Sequence, residues 1–171
     1  MSGDWTTRAV AVMVCFVVAA VTVKADHEDP AGSSTGIERL DERLAQRVLA
    51  LLPNRPAAIR VVDAEAAKPA VRQTLLKLDA FVLRDQPGIY LVKQSRVLQG
   101  ALRGSVMHEC MLASIIWHEM AHLEGADERE AQRREEALWT GFVLHHRVDE
   151  VAGLRYLDIM KKRHSPDRRR P

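Results

Sequence analysis

Between His118 and His122 the chain reads His-Glu-Met-Ala-His, residue types and a spacing that can do hydrolytic chemistry. Side chains four apart on a helix lie one above the other on the same face. Two imidazoles so placed can share one tetrahedral metal ion, and zinc takes such ligands. Zinc lowers the pKa of a bound water to about 7. Glu119, next to the first imidazole, can then act on that water as general base.

The surroundings favour a metal. The flanks Ser114-Ile115-Ile116-Trp117, Met120-Ala121 and Leu123 carry no charge, so this helix is headed for the interior. Paired histidines buried beside a carboxylate are costly unless something satisfies them, and a metal does that. Gly125 ends the helix and lets the chain turn back with a further ligand. Two candidates lie on the returning helix, where Glu128, Ala131, Glu135, Leu138 and Phe142 fall on one stripe. Glu128, just past the turn, is the preferred third ligand, and Glu135 is its competitor. Glu128, Glu130, Glu135 and Glu136 also interleave with Arg129, Arg133 and Arg134, so a solvated lattice of i,i+4 charge pairs accounts for most of them.

The stretch 117–139 resembles the zinc metallopeptidases of the zincin group. In their gluzincin branch the ligand glutamate heads a Glu-x-x-Ala-Asp/Asn pattern, and Glu128-Arg129-Glu130-Ala131-Gln132 is similar, with Gln132 at the last position. The spacing from His118 through Gly125 to Glu128 also resembles that of metzincins, with Glu in place of their third histidine. Either resemblance implies His118, His122 and Glu128 as zinc ligands, Glu119 as the base, and a peptide or protein as substrate. It further implies that 88–92 is the edge strand above the cleft, where an extended peptide could pair its backbone.

An oxyanion formed during hydrolysis needs a donor opposite the metal. Tyr90, His145, His146 and Tyr156 are side chains of the right type. His108-Glu109 lies more than two turns before the motif and reads as ordinary helix surface.

The elements that must position these residues follow from periodicity and punctuation. Ile37, Leu40, Leu44, Val48 and Leu51 keep helical spacing, which predicts a helix over 37–52 stopped by Pro53. A short strand at 58–62, a helix over 68–78, and strands at 80–83 and 88–92 joined by a turn come next. A short helix over 97–102 closes at Gly104. Ser105 is a candidate N-cap for the motif helix over 106–123. Asp127, with Glu130 three residues on, restarts the next helix, which runs towards His146. A last helix covers 148–160, with Val151, Leu154 and Leu157 facing inwards. The fold class expected is α+β: a small zincin-like domain with a short mixed or antiparallel sheet, then the motif helix and C-terminal helices.

The chain of 171 residues suits one domain with its own core, placed at 37–160. Its formal charge of +2 offers no global field for nucleic acid. Basic residues gather instead in the tail 161–171, most simply a solvated end, with anionic lipid or an acidic partner as the other reading. Near the other end Arg8 precedes an apolar run over 9–23, short for a membrane span of about 20 residues and matched to a signal-peptide core. Cleavage after Ala25 and retention as a membrane anchor are both open, and both imply export, periplasmic or secreted. A polar linker, 26–36, follows. Cys15 falls in the apolar run, so after cleavage Cys110 stands alone as a small buried residue. The expectation is a zinc metallopeptidase holding one Zn2+. The alternative is a catalytically idle, metal-stabilised module, exported or membrane-anchored, that binds a partner.

Overall fold

The computed structural model describes residues 36–164. The apolar segment, nearly all of the linker, Cys15 and the end of the basic tail lie outside the described residues. Among the described residues no helix is long and apolar enough to cross a membrane.

The fold is α+β. Strands β1 (Ile37–Arg39), β2 (Ile59–Val62), β3 (Ala80–Leu83) and β4 (Gln86–Val92) form one mixed sheet in the order β1-β2-β4-β3. The β2–β4 pair is parallel and the outer two pairs are antiparallel. Helices α1 (Glu42–Leu49) and α2 (Pro69–Leu75) lie between strands, and α3 (Arg96–Leu102), α4 (Val106–Leu123), α5 (Glu128–Leu144) and α6 (Glu150–His164) follow them.

Two strand readings need correction. The helix over 37–52 is in fact β1 followed by α1, because Asp41 caps α1 by accepting the Leu44 amide at 2.9 Å. The 88–92 run is not an edge strand: β4 lies between β2 and β3, and β3 is the edge. Residues 88–92 are buried without interruption, as expected of a strand covered on both faces. Ile89 and Leu91 pack into the main core, whereas Val92 joins a smaller cluster with Ala64 and Leu75.

Helix α4 is apolar all round and therefore runs through the interior. It packs against α1, α3, α5, β3 and β4, burying Cys110, Leu112, Ala113, Ile116 and Met120. Burial pushes the Cys110 thiol up to about 11, which leaves it an inert core residue. Ser105 does occupy the N-cap position, but its hydroxyl pairs with His108 Nδ1 at 2.8 Å rather than with a backbone amide. His108-Glu109 is not surface either. Glu109 is only 7% exposed and accepts from Arg47 Nε at 2.8 Å.

The inward stripe expected on α6 is met only in part. Leu157 packs half-buried against the core, but Val151 and Leu154 are exposed, and Tyr156 and Met160 face the core in their place. The cause is Gly153, whose carbonyl accepts the Trp139 indole N–H at 2.9 Å. A Cβ there would meet Val143 at 2.7 Å, so α5 and α6 touch closely only through glycine.

Candidate metal centre

The turn between α4 and α5 builds the site. Gly125 has φ of 88°, a conformation that glycine adopts without strain. It lets the Ala126 amide bond back to the Ala121 carbonyl at 2.9 Å and the Gly125 amide to the His122 carbonyl at 3.0 Å. Asp127 then caps α5, accepting from the Glu130 amide at 2.8 Å. Glu128 is thereby placed in the first turn of α5, facing the end of α4.

His118 and His122 aim their Nε2 atoms at the same point, 3.1 Å apart. Glu128 Oε2 is 3.3 Å from His122 Nε2, and Glu128 Oε1 is 3.8 Å from His118 Nε2. Ligands about 2.0–2.1 Å from a tetrahedral zinc lie roughly 3.3 Å from one another, close to these separations. His118, His122 and Glu128 thus form a group that could hold a metal ion, its donor atoms all within 4.8 Å of one another. Glu128 Oε2 is buried and has no hydrogen-bond partner, a costly state that a cation would relieve.

The remaining ring nitrogens are turned outwards from that point. His122 Nδ1 donates to the Ala126 carbonyl at 3.1 Å, which leaves Nε2 with its lone pair free. His118 Nδ1 lies 3.0 Å from Glu135 Oε2, an ion-pair contact rather than a hydrogen bond. Glu135 is buried and stands behind His118, at the opposite nitrogen from Glu128. Gln132 donates to Glu128 Oε1 at 2.5 Å. The sequence marks Glu135 as a competing ligand and Gln132 as the last position of the Glu-x-x-Ala pattern, and neither reading gives the supporting role. Their signal is spacing: Gln132 and Glu135 fall one and two turns beyond Glu128.

Acids and imidazoles at the site shift one another. Burial pushes the Glu119 carboxyl up to about 7, against the pull of the two imidazoles. Burial opposes a charge on His118, but the carboxylates of Glu135, Glu119 and Glu128 outweigh it and hold the imidazole above its ordinary range. His122 is raised chiefly by Glu128. Glu128 is lowered: burial acts to raise it, and the histidines and Gln132 prevail.

None of the four side chains considered as oxyanion donors stands at this cluster. His145 and His146 are exposed at the far end of α5. Tyr156 packs on Trp139, with ring centroids 4.5 Å apart. Trp139 is roughly 16 Å along α5 from Glu128. The Tyr90 hydroxyl donates to Gln86 and accepts from Arg60, and its ring stacks on Phe81, on the sheet face turned away from α4.

Compared with protein-family models, curated proteins and solved structures, the chain shows no match to any of them. The case for a function therefore rests on the geometry of this cluster.

Proposed function

We propose that the chain is a small exported zinc metallopeptidase, with His118, His122 and Glu128 as zinc ligands and Glu119 as general base. The supporting observation is the three donors at tetrahedral spacing beside a buried carboxylate that is not one of them. Glu119, Glu128 and Glu135 outnumber the two imidazoles, and a divalent cation balances that excess of negative charge.

Zinc held there supplies Lewis acidity, acidifying water and polarising a carbonyl. Glu119 accepts the proton of the attacking water on a carboxylate oxygen and passes it to the amide nitrogen as the peptide bond breaks. The Ala126 carbonyl holds His122 in the tautomer that presents Nε2, and the Glu135 carboxylate beside His118 Nδ1 favours a proton on that nitrogen. Gln132 keeps Glu128 turned towards them. Export follows from the apolar run over 9–23, and that run gives either a cleaved signal or a membrane anchor.

The idle, metal-stabilised module draws on one observation: none of the tyrosines and histidines considered as oxyanion donors stands at the cluster. Metal content and cleavage of a mixed peptide library, read by mass spectrometry, separate the two. The metallopeptidase holds about one zinc per chain and cleaves. Glu119→Gln, with zinc content matched, cuts turnover by at least ~10²-fold. Equal cleavage by both proteins removes Glu119 from the chemistry, and zinc without cleavage selects the idle module.

A further inference from the structure

A cleft of about 550 Å3 opens beside α4, walled by the β3–β4 turn and the loop before β2. Its floor includes Met120 and Leu123, and none of His118, Glu119, His122 or Glu128 lines it. Its position relative to them follows from helix geometry. Successive residues turn by roughly 100°, so Leu123 and Met120 lie on the flank of α4 just beyond Glu119. The histidines face α5 on the other flank, and Glu119 stands between them and the cleft. A chain lying in the cleft would lie along the flank of α4 next to the one that carries the proposed base.

The walls carry an uneven set of charges. Arg55 and Arg84 both line the cleft, both are exposed, and neither makes an ion pair among the described residues. Of the lining acids, Glu124 is taken up by Arg134, which leaves Asp85 as the one uncompensated carboxylate against two guanidiniums. Guanidinium offers a planar fork of donors that matches a carboxylate, and the pair flanks an apolar floor suited to the body of a peptide.

We propose that this cleft binds a peptide carboxylate through Arg55 and Arg84, so that the substrates are peptides with an acidic side chain or a free C-terminus at that point. The assignment rests on the metallopeptidase reading for its meaning, but it is testable by binding alone.

The probes are short peptides of one apolar sequence bearing a neutral fluorophore, titrated by anisotropy against the full chain carrying Glu119→Gln, with and without zinc. They differ only in charge: neutral and amidated, amidated with an internal Glu, neutral with a free C-terminal carboxylate, and amidated with an internal Lys. One carboxylate peptide should bind about tenfold tighter than the neutral one, and added salt should weaken that preference. The peptide that gains tells a side chain from a chain end. Arg55→Gln and Arg84→Gln should each remove several-fold of the preference, and Asp85→Asn should enlarge it. Equal affinities for all four peptides, tighter binding of the Lys peptide, or a preference untouched by both arginine substitutions overturns the proposal. A carboxylate preference in a protein whose wild type cleaves nothing upholds the cleft assignment and removes the peptidase reading. Cleavage without any charge preference does the reverse.

Discussion

Helix α4 carries the same dipeptide twice, His108-Glu109 near its start and His118-Glu119 near its end, and the two glutamates are equally buried at 7% exposure. At the first pair every charge has been answered. Glu109 meets the Arg47 guanidinium, and His108, lowered by burial and by Arg103, pairs as a neutral ring with the Ser105 hydroxyl. At the second pair the charged neighbours of the carboxylates are imidazoles and those of the imidazoles are carboxylates, and no arginine or lysine answers either. Burial by itself therefore does not mark a working carboxylate. What distinguishes the second pair is the charge that folding leaves unbalanced, which is the condition for recruiting a cation.

Substitutions at matched positions test that contrast. His118→Ala or His122→Ala should abolish zinc binding, a loss beyond the ~10–100-fold expected from removing an outer partner. His108→Ala should leave the zinc content of the purified protein whole by elemental analysis. If His108→Ala loses metal too, the two pairs are not different in kind.

Acid should act next most strongly. The carboxylates hold His118 and His122 above their ordinary range, so each stays protonated to a higher pH, and a proton on Nε2 excludes the metal. Zinc affinity should therefore fall as pH is lowered, starting above the ordinary histidine value of about 6.5 and reaching ~10²-fold per pH unit once both rings are protonated. Competition titrations at a series of pH values measure the slope, and a slope of one proton would mean that only one histidine is a ligand.

Glu135→Gln keeps the shape behind His118 and removes its charge, so zinc affinity should drop ~10–100-fold with the ligands all in place. An unchanged affinity would reduce Glu135 to packing. The smallest effect is on stability. Glu109→Gln should cost about 1–2 kcal/mol in urea unfolding, at the low end for a buried pair because Arg47 is 44% exposed. Glu119→Gln in the zinc-free protein should cost roughly 0 kcal/mol or stabilise it, since it replaces a buried charge by a neutral group of the same shape. Equal losses at the two glutamates would erase the comparison.

The helical half was legible because its ends are punctuated: Ser105 marks where α4 begins, Gly125 where it stops and Asp127 where α5 begins. The strand half was less so. Ile37, Leu40 and Leu44 keep helical spacing straight across the β1–α1 boundary, and only the Asp41 cap reveals the break. On α6 the larger apolar side chains were assigned inwards, but the contact with α5 is made at Gly153, and that rotates Val151 and Leu154 outwards. In the site, the pair His118 and His122 and the carboxylate Glu128 were readable from spacing. Glu128 was preferred, but Glu135 stayed a competitor, because both lie on the stripe facing His118 and differ in which ring nitrogen they approach. Periodicity reports a face and says nothing of a tautomer.

The short turn at Gly125 has a consequence for how the protein is made. The donors, the base and the supporting residues all fall between His118 and Glu135, on two adjacent helices. Bringing the ligands together requires closing only a small loop, with little entropy lost. Contacts so near in sequence form quickly, before pairings such as β2 with β4 that span longer stretches of chain. A helical hairpin of this kind presents its ligands as soon as α5 has formed, so metal capture can accompany folding rather than wait for the finished domain. An ion bound there would then be in place while the sheet and α6 assemble.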